Sequence, residues 1–364
     1  MNTLIINKTN LTHNINVIKN QINSDEYTII GVVKGNGYGL GLEEYSKILI
    51  ENGITLLAVA SPEEAIKLRT INKDIDILNM SSTAIKEEIE ELVENNIIIT
   101  IGSKECAQIV KQIAKDGKNI RAHIKIDTGF GRYGFISKNE VLETIKELIS
   151  TIKIEGIFSH FSIAYYKNNE HTKKQYNKFL EIIKALEEEN ININLKHICN
   201  SPAFLNYPEM RLNAARIGSA FLGRVDSQNK LNLKKIGQLK SQVVEIKQLP
   251  KDFYVGYLNT YKTKTQTKVA IIPVGYKDGY NITIRNDMFR FVDKLRELKH
   301  AMGNLLTKQE LKVEIEGKKY PIIGKIGMFH LTVNVTNSNV KIGDKVVLNV
   351  NPLYIDSDIR REYV

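Results

Sequence analysis

Cysteine is almost missing from this sequence. Only Cys106 and Cys199 occur in 364 residues, which excludes a disulfide framework and any paired-cysteine metal motif, so no metal is expected. The two thiols read most simply as small buried hydrophobes. Long apolar runs are missing too. No stretch of about 18 apolar residues occurs, so nothing is expected to span a bilayer. The opening Met1-Asn2-Thr3-Leu4-Ile5-Ile6-Asn7-Lys8 has no basic segment leading into an apolar one, so no secretory signal is expected. An arginine-rich arm is also absent. The net charge is +10, yet the lysines are scattered along the chain beside Glu and Asn. That pattern reads as a solvated surface and argues against a nucleic-acid partner. Solenoid repeats and low-complexity segments are absent as well. The expectation left standing is a cytoplasmic enzyme without membrane or nucleic-acid partners.

Material for a large core is present. Apolar residues make up 42% of the chain, and the length suits one large and one smaller domain. Residues 3–6 read as a strand, and Leu11, Ile15, Ile18 and Ile22 then recur at helical spacing. After them an apolar strand and an amphipathic helix alternate. The strand carrying residues 28–33 is followed by strands at 56–60, 75–80, 97–101, 120–127, 152–160, 195–200 and 212–217. Helices are expected near 43–51, 62–70, 84–94, 103–116, 138–151 and 170–190. Eight buried parallel strands alternating with helices predict an α/β fold with an N-terminal (β/α)8 barrel over residues 1–230. The first strand, about 1–8, is free to join the second domain.

Beyond residue 230 the helical period fades. Short alternating runs appear at 242–249, 268–274, 313–315, 320–326, 331–335 and 345–350. Residues 231–364 therefore predict a smaller, mostly-β domain, with a helical insertion near 285–308 rich in Arg, Lys and Leu.

The barrel places strand C-termini around one mouth, and polar residues fall at those ends. They are Lys34, the run Lys125-Ile126-Asp127-Thr128, His160, Asn200-Ser201 and Arg216. Lys34 closes a buried strand and opens a loop with three glycines, Gly35-Asn36-Gly37-Tyr38-Gly39. Burial lowers a lysine pKa and makes the amine nucleophilic, as imine formation requires. Taken singly, each of these residues has a bland explanation, such as a snorkelling lysine or a satisfied strand-end histidine.

Eight motifs in order outweigh those single readings. They are Val33-Lys34-Gly35-Asn36-Gly37-Tyr38-Gly39, Lys125 to Phe135, Gly156-Ile157-Phe158-Ser159-His160-Phe161, Asn200-Ser201-Pro202-Ala203 and Arg216-Ile217-Gly218-Ser219-Ala220. In the second half come Gly256-Tyr257-Leu258-Asn259-Thr260-Tyr261, then 273–280, then Gly324-Lys325-Ile326-Gly327-Met328. Together they resemble the alanine racemase family, pyridoxal 5'-phosphate (PLP) enzymes built as a barrel followed by a β-domain.

The resemblance implies a PLP-dependent racemase of a small amino acid, alanine first and serine second, supplying D-amino acid for cell-wall synthesis. It implies that Lys34 carries the cofactor and serves as one acid/base. Tyr261 would be the second, from the opposite face, supplied by a partner subunit in a homodimer. A phenol with an ordinary pKa near 10 needs cationic neighbours for that work. The resemblance also implies that Arg216 faces the pyridine nitrogen and that His160 lies beside the cofactor. Tyr38, Ser201 and the Gly218 and Ser219 amides would hold the phosphate. Arg132 would meet the substrate carboxylate, buttressed by Lys125, a position carbamylated in some relatives. Met328 and Tyr280 would line the substrate pocket.

Two departures stand out. Where most of the family has cysteine, methionine and aspartate, this chain reads Gly327-Met328-Phe329, followed by His330. Its C-terminus has no clear counterpart of the tyrosine that completes the phosphate cup, leaving Tyr354 and Tyr363 as candidates. Both departures keep a serine or broader-specificity racemase open as an alternative, together with a non-catalytic PLP carrier. A decarboxylase of the same barrel class would want a cysteine in the β-domain, and this chain has none there. His171, His197 and His300 have no motif around them and stay unassigned.

Overall fold

The computed structural model describes residues 2–24, 26–166, 169–225, 231–283, 289–306 and 310–364. The chain forms two compact units: Lys8–Ile236, and Met1–Asn7 together with Gly237–Val364.

The first unit is the expected eight-stranded closed parallel barrel. Its strands are Thr28–Val32, Leu56–Val59, Asp76–Ser82, Ile98–Ile101, Arg121–Lys125, Lys153–Phe158, Leu195–His197 and Ala214–Ile217. The ring closes where the first strand meets the last, with Ile30 opposite Arg216. Helices return the chain between strands, and their starts are set by local chemistry. Ser61 and Ser103 accept the amides of Glu64 and Cys106 at 3.3 and 3.1 Å, and Asn169 caps the Glu170–Glu188 helix. The opening helix, Lys8–Lys19, buries Leu11, Ile15 and Ile18 but stops before Ile22.

The barrel interior has two unlike halves. Ile30, Val32, Leu56, Ala58, Leu78 and Ile98 fill one side with hydrocarbon. On the other side alternate residues of the Arg121–Lys125 strand point inward, so Arg121, His123 and Lys125 stack along the axis. Arg121 closes the floor with a two-pronged pair to Glu155, both bonds 2.9 Å, and a third bond of 2.6 Å to Asp76. The middle layer is imidazole and the top layer is the barrel mouth.

The second unit is a nine-stranded sheet. The opening strand Thr3–Ile6 sits inside it, antiparallel to Gln238–Gln242 and parallel to Arg360–Tyr363. The strand expected at 242–249 runs over Glu245–Leu249, and a separate strand, Gln238–Gln242, precedes it. Between them the chain leaves one partner for another. Val243 donates to the Asp344 carbonyl and Val244 to that of Ile271, each at 3.0 Å. The first strand then pairs with Lys345–Asn349 and the second with Thr267–Ile272. Of the insertion expected at 285–308, a helix spans Phe291–Leu306, while residues 285–288 and 307–308 lie outside the described residues. So does the expected domain boundary at residue 230.

Candidate active site

At the barrel mouth the strand Thr28–Val32 ends in an unusual turn. Residues 35–39 all take positive φ, at 65°, 52°, 64°, 55° and 80°. That is one turn of left-handed helix, closed by Gly37 N–H to the Val33 carbonyl (2.8 Å) and Gly39 N–H to that of Gly35 (2.9 Å). Glycine adopts this backbone freely and asparagine tolerates it, but at Tyr38 it costs energy. Strain of this kind is held where function needs a side chain aimed in one direction. The turn hands Lys34 to the mouth. Burial lowers the amine's pKa, and the charges of Arg132 and Arg216 lower it further, against Glu64.

Arg216 lies beneath, 3% exposed. Its Nη1 donates to His197 Nδ1 (2.7 Å) and to the His197 carbonyl (3.3 Å). Its Nη2 reaches the carbonyls of Ser159 (2.7 Å) and Ile198 (3.2 Å) and His160 Nδ1 (3.0 Å). Among the described residues, Nε–H is the guanidinium donor left without a partner. Burial brings this arginine down to about 10, so it stays charged at neutral pH. His160 is held neutral by burial and by the surrounding cations, Arg216 first.

The loop after Lys125 presents Arg132. The Asp127 carboxylate accepts four consecutive backbone amides: Gly129 and Phe130 on Oδ1 at 2.8 and 2.7 Å, Gly131 and Arg132 on Oδ2 at 2.8 and 3.0 Å. The arginine's main chain, not its guanidinium, is what Asp127 fixes. Gly134 shuts the loop, since a Cβ there would lie 2.6 Å from the Asp127 nitrogen. The Arg132 guanidinium rests 4.4 Å over the Phe130 ring, whose edge meets His160 at 5.2 Å between centroids. Lys125 Nζ sits 4.0 Å above Phe158. Burial, then Arg216 and Arg132, hold that amine well below the ordinary ammonium range.

Opposite Lys34, Tyr38 and Gly218 meet so closely that a Cβ on Gly218 would stand 2.3 Å from the phenol oxygen. Ser201 Oγ accepts the amides of Gly218 (3.0 Å) and Ala220 (3.3 Å). The Gly218 amide, expected to face a phosphate, is thus shared with the serine. Burial pushes the Tyr38 phenol up, which keeps it a hydrogen-bond donor.

The β-unit carries the other three expected residues. Tyr261 begins the short strand Tyr261–Lys262, paired with Tyr254–Val255 and packed against Val255, Val269 and Ile323. The turn before it holds Leu258 at φ 61°, 81% exposed. Tyr261 and Tyr280 line one groove with Tyr276 and Lys325. Met328 lies on a neighbouring hollow with Tyr257, Phe329 and His330, its carbonyl accepting Lys277 N–H at 3.1 Å. Tyr354 lies in a short 3-10 turn and Tyr363 in a strand paired with the N-terminus.

The barrel unit thus gathers Lys34, Tyr38, Arg132, His160, Ser201, Arg216, Gly218 and Ser219 at strand ends. The β-unit holds Tyr261, Tyr280 and Met328. Sequence reasoning passed over His197 and His123. A signal for the second existed, because Arg121, His123 and Lys125 put three polar groups on one face of a strand expected to be buried.

The alanine racemase N-terminal domain family matches residues 6–225, and the alanine racemase C-terminal domain family matches 236–356. An alanine racemase of Methanococcus maripaludis is 36% identical over 346 residues, covering 93% of this chain and 86% of that one. One of Clostridium tetani is 37% identical over 346 residues, covering 93% and 83%. Among solved structures, alanine racemase from Clostridium difficile 630 superposes with a TM-score of 0.85 at 30% identity, covering 100% of this chain and 95% of that one. Alanine racemase from Bacillus anthracis with bound L-Ala-P gives 0.84 at 27% identity, with the same coverage.

Proposed function

This chain belongs to the alanine racemase family and is an isomerase of alanine, and from that premise we propose that it works with PLP held at the barrel mouth. The residues present fit that group. Arg216 keeps one N–H unspent, Tyr38 and Ser201 offer hydroxyls beside the narrow backbone at Gly218, and Lys34 is a buried amine. The spare Nε–H of a fully buried arginine is the observation that carries the reading. A guanidinium donates and does not give up its proton, so a cofactor ring nitrogen held against it would stay unprotonated.

When bound, the cofactor supplies an electron sink that acidifies the substrate's α-hydrogen. Lys34 Nζ, kept below the ammonium range, attaches the cofactor and then takes or returns a proton on one face. Tyr261 Oη does so on the other. We assign Tyr261 to a partner subunit in a homodimer. The β-unit's exposed Tyr257 and Leu258, at 69% and 81%, and the half-exposed Tyr254, Met328 and Phe329 support this. Arg132 takes the substrate carboxylate, and Met328 and Tyr280 shape the pocket. Tyr38, Ser201, Gly218 and Ser219 cradle the phosphate, with His160 alongside. Arg132 and the buried but charged Arg216 make the mouth cationic, which suits a phosphate and a carboxylate. The product would be D-alanine for cell-wall synthesis in the cytoplasm.

Phe329 and His330, standing where an acidic residue is usual, favour a second reading in which serine is also accepted. Incubation with PLP and single L- and D-amino acids, followed by chiral separation, tests both. Interconversion of alanine in both directions is expected. No conversion of any amino acid by protein carrying PLP on Lys34 would overturn the racemase in favour of a carrier.

A further inference from the structure

Arg216 does not stand on its own contacts. A guanidinium can only donate, so His197 Nδ1, 2.7 Å away, accepts. A neutral imidazole that accepts on Nδ1 carries its proton on Nε2. His197 Nε2 lies 3.0 Å from His123 Nδ1, so it donates there, and His123 in turn carries its proton on Nε2. That last N–H is buried and has no partner among the described residues. One permanent cation therefore dictates the tautomers of two imidazoles in series.

Both histidines are wholly buried, and burial holds His123 down to about 4 and His197 well below its ordinary range. Neither ring can tip. Phe158 stacks on His197 with centroids 4.8 Å apart and planes 6° from parallel. His123 leans edge-on against Phe158 at 6.2 Å. On its far side is Gly156, where a Cβ would lie 2.6 Å from the His123 ring. The two strands shift register at that point, between Ala122 and His123. The bulge and the missing side chain make room for an imidazole in the barrel's middle layer. A phenylalanine there would fill the same space but would leave the His197 Nε2–H without an acceptor, so packing alone does not account for histidine.

We propose that His197 and His123 are positioning residues that hold the Arg216 guanidinium in the orientation where its free Nε–H meets the cofactor ring. This rests on the reading of Arg216 given above. Hydrogen bonds in such a chain polarise one another, so His123 strengthens the acceptor that Arg216 meets.

The test uses holoenzyme and three readouts: the absorption spectrum of bound PLP, kcat against KM for alanine, and the melting temperature. His197→Phe should lower kcat about tenfold or more through a misaimed Arg216, with little change in KM, and should move the spectrum. His197→Asn, whose amide oxygen can stand where Nδ1 stood, should recover most of the loss. His123→Phe leaves one buried N–H unpaired, as in the parent, so its melting temperature should hold while spectrum and kcat move the same way by less. Arg216→Gln separates the two ideas. If it leaves spectrum and rate untouched, the reading of Arg216 itself fails. If it changes both while His197→Phe and His123→Phe change neither, the relay fails and Arg216 stands alone. Histidine variants that only melt earlier, with parental spectrum and kcat, would also overturn the proposal.

Discussion

Replacing Asp127 with asparagine should disable Arg132 without touching it. The carboxylate takes four amides at 2.7–3.0 Å, two on each oxygen. Asparagine keeps one oxygen for one pair and turns an NH2 group toward the other pair, so donors face donors. Bonds to a charged acceptor are worth about 1.5–3 kcal/mol each when buried. Residues 129–132 are exposed, however, and their amides can rehydrate. A net loss of about 2–4 kcal/mol of loop order is the reasonable figure. A displacement of about 1 Å in a substrate-positioning group costs about a hundredfold in rate, so kcat/KM for alanine should fall by about that factor, chiefly through KM. Racemisation rates would be read for Asp127→Asn, Arg132→Ala and the double variant. If Asp127 acts through Arg132, the double variant is no worse than Arg132→Ala. Full additivity, or an Asp127→Asn enzyme within twofold of the parent, would refute the reasoning. The pH dependence has a definite sign. Burial raises this carboxyl's pKa, but the four amides outweigh it and leave the group below its ordinary value. Its stabilisation is therefore complete above the unfolded value of about 3.9 and is lost as pH falls through the lower folded value. The loop should hold at pH 5.

Tyr261→Phe should keep the bound-PLP spectrum and lose proton exchange on one face; deuterium incorporation from each alanine enantiomer would show this, and unimpaired racemisation would sink the two-base assignment. Gly218→Ala drives a methyl into the Tyr38 phenol, so PLP should bind about tenfold or more weakly in a fluorescence titration. Apoprotein carrying Lys125→Met, studied free of carbon dioxide, should melt higher than the parent at pH 7, by roughly 1–3 kcal/mol of stability, because a buried amine that must shed its proton on folding is removed. The folded Lys125 pKa is depressed, so the parent binds fewer protons folded than unfolded and gains stability as pH rises toward 10.5. The advantage of the variant should shrink over that range in calorimetric scans.

Much of this was legible in the residues. Strand ends and glycines marked Lys34, because such patterns are local, whereas Arg132 came only from the family resemblance. An acid and a base five residues apart, Asp127 and Arg132, invite a side-chain pairing when only the sequence is in view. Four backbone amides cannot be seen in a sequence, and they won. The strand break at Val243–Val244 was hidden because the alternation runs through it; only the change of partner, from Lys345–Asn349 to Thr267–Ile272, divides it. His197 was left unassigned for a similar reason. Its meaning lies in a donor 19 residues later and a ring 74 residues earlier, distances at which sequence has no periodicity to read.

The ion-paired floor of Arg121, Glu155 and Asp76 gives the barrel a closed end. Water and isotopic label are then expected to reach the imidazole layer mainly from the mouth, where PLP is proposed to sit. The N–H hydrogens of His197 and His123 should accordingly be among the slowest in the protein to wash out in heavy water, slower still with PLP in place. An interior that exchanges so little with its surroundings keeps its hydrogen inventory from one turnover to the next.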